Sequence, residues 1–238
     1  MGGVFESLAD TTVAVVGATC LLNVSGLENL GQARILVGKG CRLEIGPAQA
    51  GARSYLAVPA GFVGEPILDS LSGVPVPDLL EFSACLVGRP AKLAEAPSTL
   101  GRRVLRFMPG PQAHLLDLKA LCSMDFAVSP QSDRKGLRLD GAFEGTQAEL
   151  PSEPACFGAI QVTPSGMPII LGPDGPTIGG YPKIGVVTSA DLAALGQLAP
   201  GNRIRLEQVT FDQALALWQT ESYRLRRLRN ALLARLNE

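Results

Sequence analysis

The chain has 238 residues, 46% of them hydrophobic and 18% charged, with a formal net charge of −1. That apolar content excludes wholesale disorder, and the near-zero charge gives no electrostatic reason to expect nucleic acid or an anionic membrane as partner. The length allows one large domain or two small ones.

Glycine (27) and proline (18) are frequent while aromatics make up only 5%, a balance that suits short strands joined by tight turns rather than a helix bundle. The five cysteines, at 20, 41, 85, 122 and 156, are odd in number and contain no Cys-x-x-Cys pair. This argues against a disulfide framework or a zinc site. The N-terminal residues lack a basic stretch followed by an apolar one, and no run of about 18 apolar residues occurs. A cytoplasmic protein is therefore expected.

In chain order, apolar and β-branched runs at 12–16, 34–37, 42–45, 54–58, 104–108, 126–128, 159–162, 168–171, 184–187 and 204–209 predict strands, most of them closed by Gly, Pro or Asn. This is the rhythm of a barrel or sandwich. Residues 62–97 break it with Pro66, Pro75, Pro77, Pro90 and Pro97. They predict loop and short pieces, with a seam between an N-terminal lobe (1–95) and a C-terminal lobe (96–238). Helices are predicted at 111–120, from Ser189 as N-cap, and over 211–236. In the last, Phe211, Leu215, Trp218, Leu225, Leu228, Leu232 and Leu236 recur at three-or-four spacing beside Arg224, Arg226, Arg227 and Arg229.

Several chemistries are missing. His114 is the single histidine, too few for a His-based metal centre. No Gly-x-Ser-x-Gly elbow supports a serine triad. Gly38-Lys39-Gly40 lacks the Ser or Thr of a phosphate loop, and no dinucleotide fingerprint occurs.

Two polar stretches stand out within this β context. In the first, Ser132-Asp133-Arg134 forms a turn into a strand in which Leu137 and Leu139 alternate with Arg138 and Asp140. Arginine can clasp a carboxylate or phosphate bidentately, although a surface hairpin with ion pairs explains the pattern equally well. The second is Gly172–Ile184, with Thr177-Ile178-Gly179-Gly180-Tyr181-Pro182-Lys183 at its end. Gly179-Gly180 suggests an anion nest, Tyr181-Pro182 admits a cis bond, and Lys183 would stand at the mouth as a cation. A plain glycine-rich hairpin is the alternative.

These same residues carry a resemblance. Ser132-Asp133-Arg134 with Gly136, Arg138 and Gly141, then Ser152-Glu153, Gly158-Ala159-Ile160-Gln161-Val162 and Thr177–Ile184 follow the order and spacing of the allophanate hydrolase subunit 2 family, which also takes in the C subunits of 5-oxoprolinases and is described as carboxyltransferase-like. Gly46-Pro47 and Gly51–Val58 resemble its middle section. The family's early Thr-Val-Gln-Asp-Leu-Gly-Arg-like segment has no counterpart, so the N-terminal lobe is expected to be incomplete, and Pro176 stands where many members carry Gln.

The resemblance implies a mainly β, cyclophilin-like fold of β-barrel lobes with a few helices. It also implies a homologous partner subunit and, with it, ATP-dependent opening of 5-oxoproline to glutamate; related domains of urea carboxylase move a carboxyl group from carboxybiotin to urea. No covalently bound cofactor and no metal are expected, with ATP used at the level of the complex. In that reading Arg134 and Lys183 bind anionic groups, Asp133 or Glu153 handles protons, and Tyr181 orients the substrate. Ser132, Arg138, Gln161, Thr177, Gly179 and Gly180 line its site. The competing expectation is a non-catalytic binding, assembly or regulatory subunit, self-associating or paired with a homologous partner.

Overall fold

Strands dominate the regular structure. The computed structural model describes residues 2–30, 33–71, 76–82, 91–92, 101–141 and 150–236. It divides into two units, Met1–Pro97 with Asn230–Glu238, and Ser98–Arg229; the expected seam at 95/96 lies outside the described residues.

The first unit is a six-stranded sheet in the order Gly3–Glu6, Arg42–Ala57, Thr11–Val24, Ala33–Val37, Ala91–Lys92, with Leu27–Leu30 pairing Thr11–Val24. Side chains of a strand alternate between faces, yet the buried set along Thr11–Val24 switches from Val13 and Val15 to Cys20, Leu22 and Val24. The switch follows an irregular register beyond Gly17, an extra residue of the kind that re-aims a strand. Gly17 sits at φ +107°, and a Cβ there would lie 2.4 Å from the Arg53 carbonyl oxygen. The re-aimed strand packs with Ile35, Val37 and Leu43 into one core.

The sequence predicts separate strands at 42–45 and 54–58, whereas the structure has a single strand, Arg42–Ala57. Gly3–Glu6 pairs it only over Arg42–Ile45, and Pro47 falls within the irregular register opposite Cys20 and Leu22, so its missing N–H breaks no ladder bond. Within 62–97 the described pieces are short, as expected. Phe62–Val63 pairs Glu81–Phe82, with the two phenyl rings edge-to-face at 6.0 Å.

The second unit closes into a seven-stranded barrel: Phe126–Val128, Gly136–Asp140, Pro168–Leu171, Ala159–Val162, Lys183–Val187, Val104–Pro109, Arg203–Gln208, and back to Phe126–Val128. Neighbours are antiparallel except Val104–Pro109 with Arg203–Gln208, which run parallel. Closure leaves this barrel no edge strand, and Leu105, Phe107, Phe126, Leu139, Ile160, Ile170, Ile184, Ile204 and Leu206 fill the interior at near-zero exposure.

The helices depart from expectation in two places. Residues 111–120 are not one helix: a 3-10 turn, Ala113–Leu115, precedes an α-helix, Leu118–Ser123. Asp117 starts the latter by accepting from the Lys119 and Ala120 N–H groups, which restarts the chain. Ser189 is not an N-cap either, because the short helix is Leu192–Leu195 with Asp191 at the cap position. The Asp191 side chain is fully buried and ion-paired to Arg102 and Arg106. Burial pushes its carboxyl up, but the hydrogen bonds and charge of Arg106, with Arg102, outweigh this and hold it below the usual carboxylate range. The long helix spans Phe211–Leu236 as predicted. Among the described residues no helix is long and apolar enough to cross a membrane.

Candidate functional site

On the second unit, three segments distant in sequence converge on Lys183. The Lys183–Val187 strand is bulged against Ala159–Val162, so that Lys183 stands opposite Gln161 rather than one residue out of step. Opposed residues share a face of the sheet, and both are buried, Lys183 at 6% exposure and Gln161 at 4%. A buried lysine demands a partner. It finds one on the two-residue ladder in which Glu153 pairs Gly179 and Pro154 pairs Ile178: Lys183 Nζ lies 3.2 Å from Glu153 Oε2 and 3.4 Å from the Gly179 carbonyl oxygen.

Gln112 completes the arrangement. Its Nε2 donates to Glu153 Oε2 at 3.1 Å, and its Oε1 accepts the Lys183 backbone N–H at 3.0 Å. The segment reaches this place because Gly110 and Gln112 hydrogen-bond backbone to backbone with Ile184 and Lys183. A Cβ at Gly110 would sit 2.4 Å from the Lys183 carbonyl oxygen, so only glycine permits the approach. The Lys183 hydrogen bond, then that from Gln112, holds the Glu153 carboxyl below its usual range. It is an ionised acceptor at neutral pH.

Gln161 Nε2 is buried and finds no hydrogen-bond partner among the described residues. It points at the same ladder, since a Cβ added to Gly179 would lie 3.1 Å from it. Lysine carries three N–H donors, and two of those on Lys183 are engaged by Glu153 and Gly179. The Lys183 ammonium and the Gln161 amide nitrogen both lie against Gly179.

The other sequence candidates lie differently. Asp133 folds back on its own turn, accepting from the Lys135 and Gly136 N–H groups at 2.8 and 3.2 Å. Arg134 forms a two-point ion pair with Asp174, Nε to Oδ2 at 2.5 Å and Nη2 to Oδ1 at 2.9 Å, on an exposed surface. Ser132 exchanges hydrogen bonds with the backbone of Arg138, whose side chain is exposed. The two polar stretches therefore meet through Arg134 and Asp174, while Lys183 joins Glu153 instead. Thr177 is exposed and its carbonyl accepts the Ala155 N–H; Tyr181 is exposed at 44%.

Gly179 and Gly180 do not form the expected nest, because neither has positive φ. They supply room instead, a Cβ at Gly180 meeting the Leu150 carbonyl oxygen at 2.9 Å. The Tyr181–Pro182 bond is trans. Gln112 is the member of the cluster that sequence patterns do not single out. Its only local signal is the Gly110-Pro111 step before it, which reads as the start of a helix.

A cavity of about 820 Å³ occupies the first unit, lined by Val13, Leu43, Phe62 and Phe82 with Glu6, Asp78 and Glu81. It contains none of the groups just described, and among the described residues its carboxylates face no lining cation. The buried, part-satisfied cluster on the barrel is the better candidate, since perturbed and unpartnered buried polar groups mark sites where space alone does not.

The chain matches the family described as carboxyltransferase domain, subdomain A and B, over residues 1–208. It is 31% identical over 234 residues to the C subunit of the 5-oxoprolinase of Escherichia coli (strain K12), covering 91% of this chain and 75% of that protein. Among solved structures, TTHA0988 superposes with a TM-score of 0.76 at 33% identity over 87% of this chain, which spans 44% of TTHA0988. Kluyveromyces lactis urea carboxylase superposes with a TM-score of 0.78 at 22% identity over 94% of this chain, a likeness of fold, and this chain spans 24% of it. With the family matched over most of its length and a mainly β fold shared with these structures, the chain belongs to the carboxyltransferase domain family.

Proposed function

We propose that this chain is one subunit of an ATP-dependent amidohydrolase assembly of the 5-oxoprolinase type, and that Glu153, Lys183, Gln112 and Gln161 form its substrate site. The observation that carries the reading is the buried, unpartnered Gln161 amide beside a buried ammonium. Leaving such a donor unsatisfied costs roughly 1–3 kcal/mol, an expense that a bound acceptor would remove. The carbonyl oxygen of a small amide, or one oxygen of a carboxylate, suits two donors that both lie against Gly179.

In this reading Lys183 and Gln161 donate to the carbonyl oxygen and stabilise the charge that develops on it during attack. Glu153, held below the usual range, is a weak base. Its task is to keep the ammonium at its post, while Gln112 fixes the carboxylate. Tyr181, at the exposed end of the same loop, orients the substrate. A triphosphate needs several uncompensated cations, and the Lys183 charge is balanced by Glu153, so the ATP step is assigned to a homologous partner subunit. A non-catalytic assembly role has one observation in its favour: Asp133 and Arg134 are occupied by backbone and by Asp174.

The test is 5-oxoproline-dependent ATP hydrolysis by this chain reconstituted with its partner subunits, comparing the natural protein with Glu153→Gln. The natural complex should turn over. Its rate should persist as pH falls below about 4.3, the ordinary glutamate value, because the Glu153 pKa is lowered. The variant should be slow at every pH and lack that acid limb. No turnover by the natural complex, under conditions where a relative works, would leave the assembly role.

A further inference from the structure

The C-terminal helix Phe211–Leu236 begins beyond the matched family region, which stops at residue 208. The family model therefore covers none of it. Its inner line, Ala214, Leu217, Glu221 and Arg224, is buried or half-buried, with Glu221 and Arg224 paired at 2.7 Å. From Leu225 to Ala234 every residue is exposed. Beside the inner line runs an apolar stripe, Phe211, Leu215, Trp218, Leu225, Leu232 and Leu233, between 40% and 69% exposed, while Leu228, 36% exposed, continues the inner line's own spacing.

We infer that this stripe is the seam of an antiparallel two-fold dimer, and that its occupant is the same helix of a second copy of this chain. Three observations select that occupant. Phe211, Leu215, Trp218, Ser222, Leu225, Arg229 and Leu232 follow a four-three spacing, the seven-residue repeat of helices that pack on another helix. A core-facing helix on a globular body needs no such narrow seam.

Charge then sets direction. Arg229 lies within the seam, with Arg226 and Arg227 beside it and no acidic residue from 222 to 236. A parallel pair would press Arg229 against its own copy. An antiparallel pair in end-to-end register sets Leu215 against Leu232, Ser222 against Leu225 and Arg229 against Trp218. There the guanidinium stacks on an indole instead, and the two basic stretches move about 10 Å apart along the axis, at 1.5 Å per residue, near the screening length at physiological salt.

The area fits a modest interface. Taking roughly 200 Å² for a large apolar side chain, the exposed parts of Phe211, Leu215, Trp218, Leu225 and Leu232 offer on the order of 500 Å² per copy, or about 1,000 Å² in all, the low end of specific interfaces.

The experiment uses the full chain. Light scattering at micromolar concentration should give twice the chain mass. Trp218→Glu and Leu225→Glu, both at exposed positions, should each give the single-chain mass with an unchanged circular dichroism spectrum. Orientation is read by disulfide trapping: an equimolar mixture of Ser222→Cys and Leu225→Cys chains should cross-link as a heterodimer, above the level of either variant alone or of the natural chain. A monomeric natural chain overturns the proposal, including one that pairs through this helix only with a foreign acidic protein. So does a dimer indifferent to Trp218→Glu. Efficient trapping of Ser222→Cys alone would show a parallel pair and overturn the register.

Discussion

The two polar stretches of the barrel unit have similar compositions and opposite fates. In 129–141, Asp133 binds the two N–H groups that follow it, Ser132 binds the Arg138 backbone, and Arg134 meets Asp174 at the surface. Ser132 and Asp133 are satisfied within the turn, and Arg134 by an exposed ion pair. In 178–183 the groups reach across the fold. Lys183 takes Glu153 and Gly179, Gln112 bridges Glu153 to the Lys183 backbone, and the Gln161 amide is left without a partner. A charged, glycine-rich loop in a β protein is thus not a site by composition. It becomes a candidate where distant elements bring groups together that cannot all satisfy one another.

The sharpest way to break this comparison is Lys183→Met, which keeps length and apolar bulk while removing the donors. Turnover of the reconstituted complex should fall by about 10²–10³-fold, the usual cost of losing a donor to a developing oxyanion, with the barrel still folded by circular dichroism. A loss of less than about threefold would return the 178–183 loop to the status of the turn at 133.

Gln161→Leu separates the two roles a buried group can have. If the amide exists for a ligand, stability should hold or rise, by up to about 1 kcal/mol, since an unsatisfied buried donor has gone. Turnover should drop at least tenfold. Equilibrium denaturation and the coupled assay are read side by side, and signs in the same direction would argue that Gln161 is a structural residue.

Why the sequence reached one stretch and not the other's partners is a matter of range. Short apolar runs were legible: Phe126–Val128, Ala159–Val162 after Gly158, and Pro168–Leu171 before Gly172 have the predicted bounds, as does the helix Phe211–Leu236, where a 3.6-residue period and the absence of breakers act together. Local cues misled where tertiary pairing overrode them. Gly46-Pro47 reads as a break, but one long partner strand and an irregular register carry the chain through. Ser189 reads as a cap, but the neighbouring buried carboxylate of Asp191 answers to arginines more than 80 residues upstream. Gln112 was invisible for the same reason. Nothing in Gly110-Pro111-Gln112 says that it will lie along Lys183, because that contact is a product of barrel closure. Lys183 and Gln161 stand out in the sequence, but their opposition depends on a bulge that no residue type announces.

On the other side of the comparison, Asp133→Ala should cost stability and spare activity. Two backbone N–H groups lose their acceptor, one of them on buried Gly136. The effect should be about 1 kcal/mol, as for loss of a helix cap. Denaturant midpoints with unchanged slope would measure it, and a turnover change beyond about threefold in the folded variant would bring Asp133 back into the chemistry.

The smallest effect is expected at Arg134, and it is the most discriminating because the family likeness casts that residue as an anion binder. Its side chain is 53% exposed and that of Asp174 is 38% exposed, so both ions remain largely hydrated and screened by salt. Exposed pairs contribute about 0.2–1 kcal/mol, and the turn itself is held independently by backbone bonds, Asp174 N–H to the Arg134 carbonyl and Gly172 N–H to that of Lys135. Arg134→Ala should therefore shift stability by roughly 0.5 kcal/mol. In a double-mutant cycle with Asp174→Ala the coupling should shrink as salt is raised, since the pair is screened rather than buried. Turnover should stay within about threefold of the natural chain, which is less than 1 kcal/mol of barrier. A tenfold loss in kcat at unchanged stability corresponds to about 1.4 kcal/mol felt only in the transition state. That result would mean that Asp174 is a resting partner exchanged for substrate, and that both polar stretches serve one site.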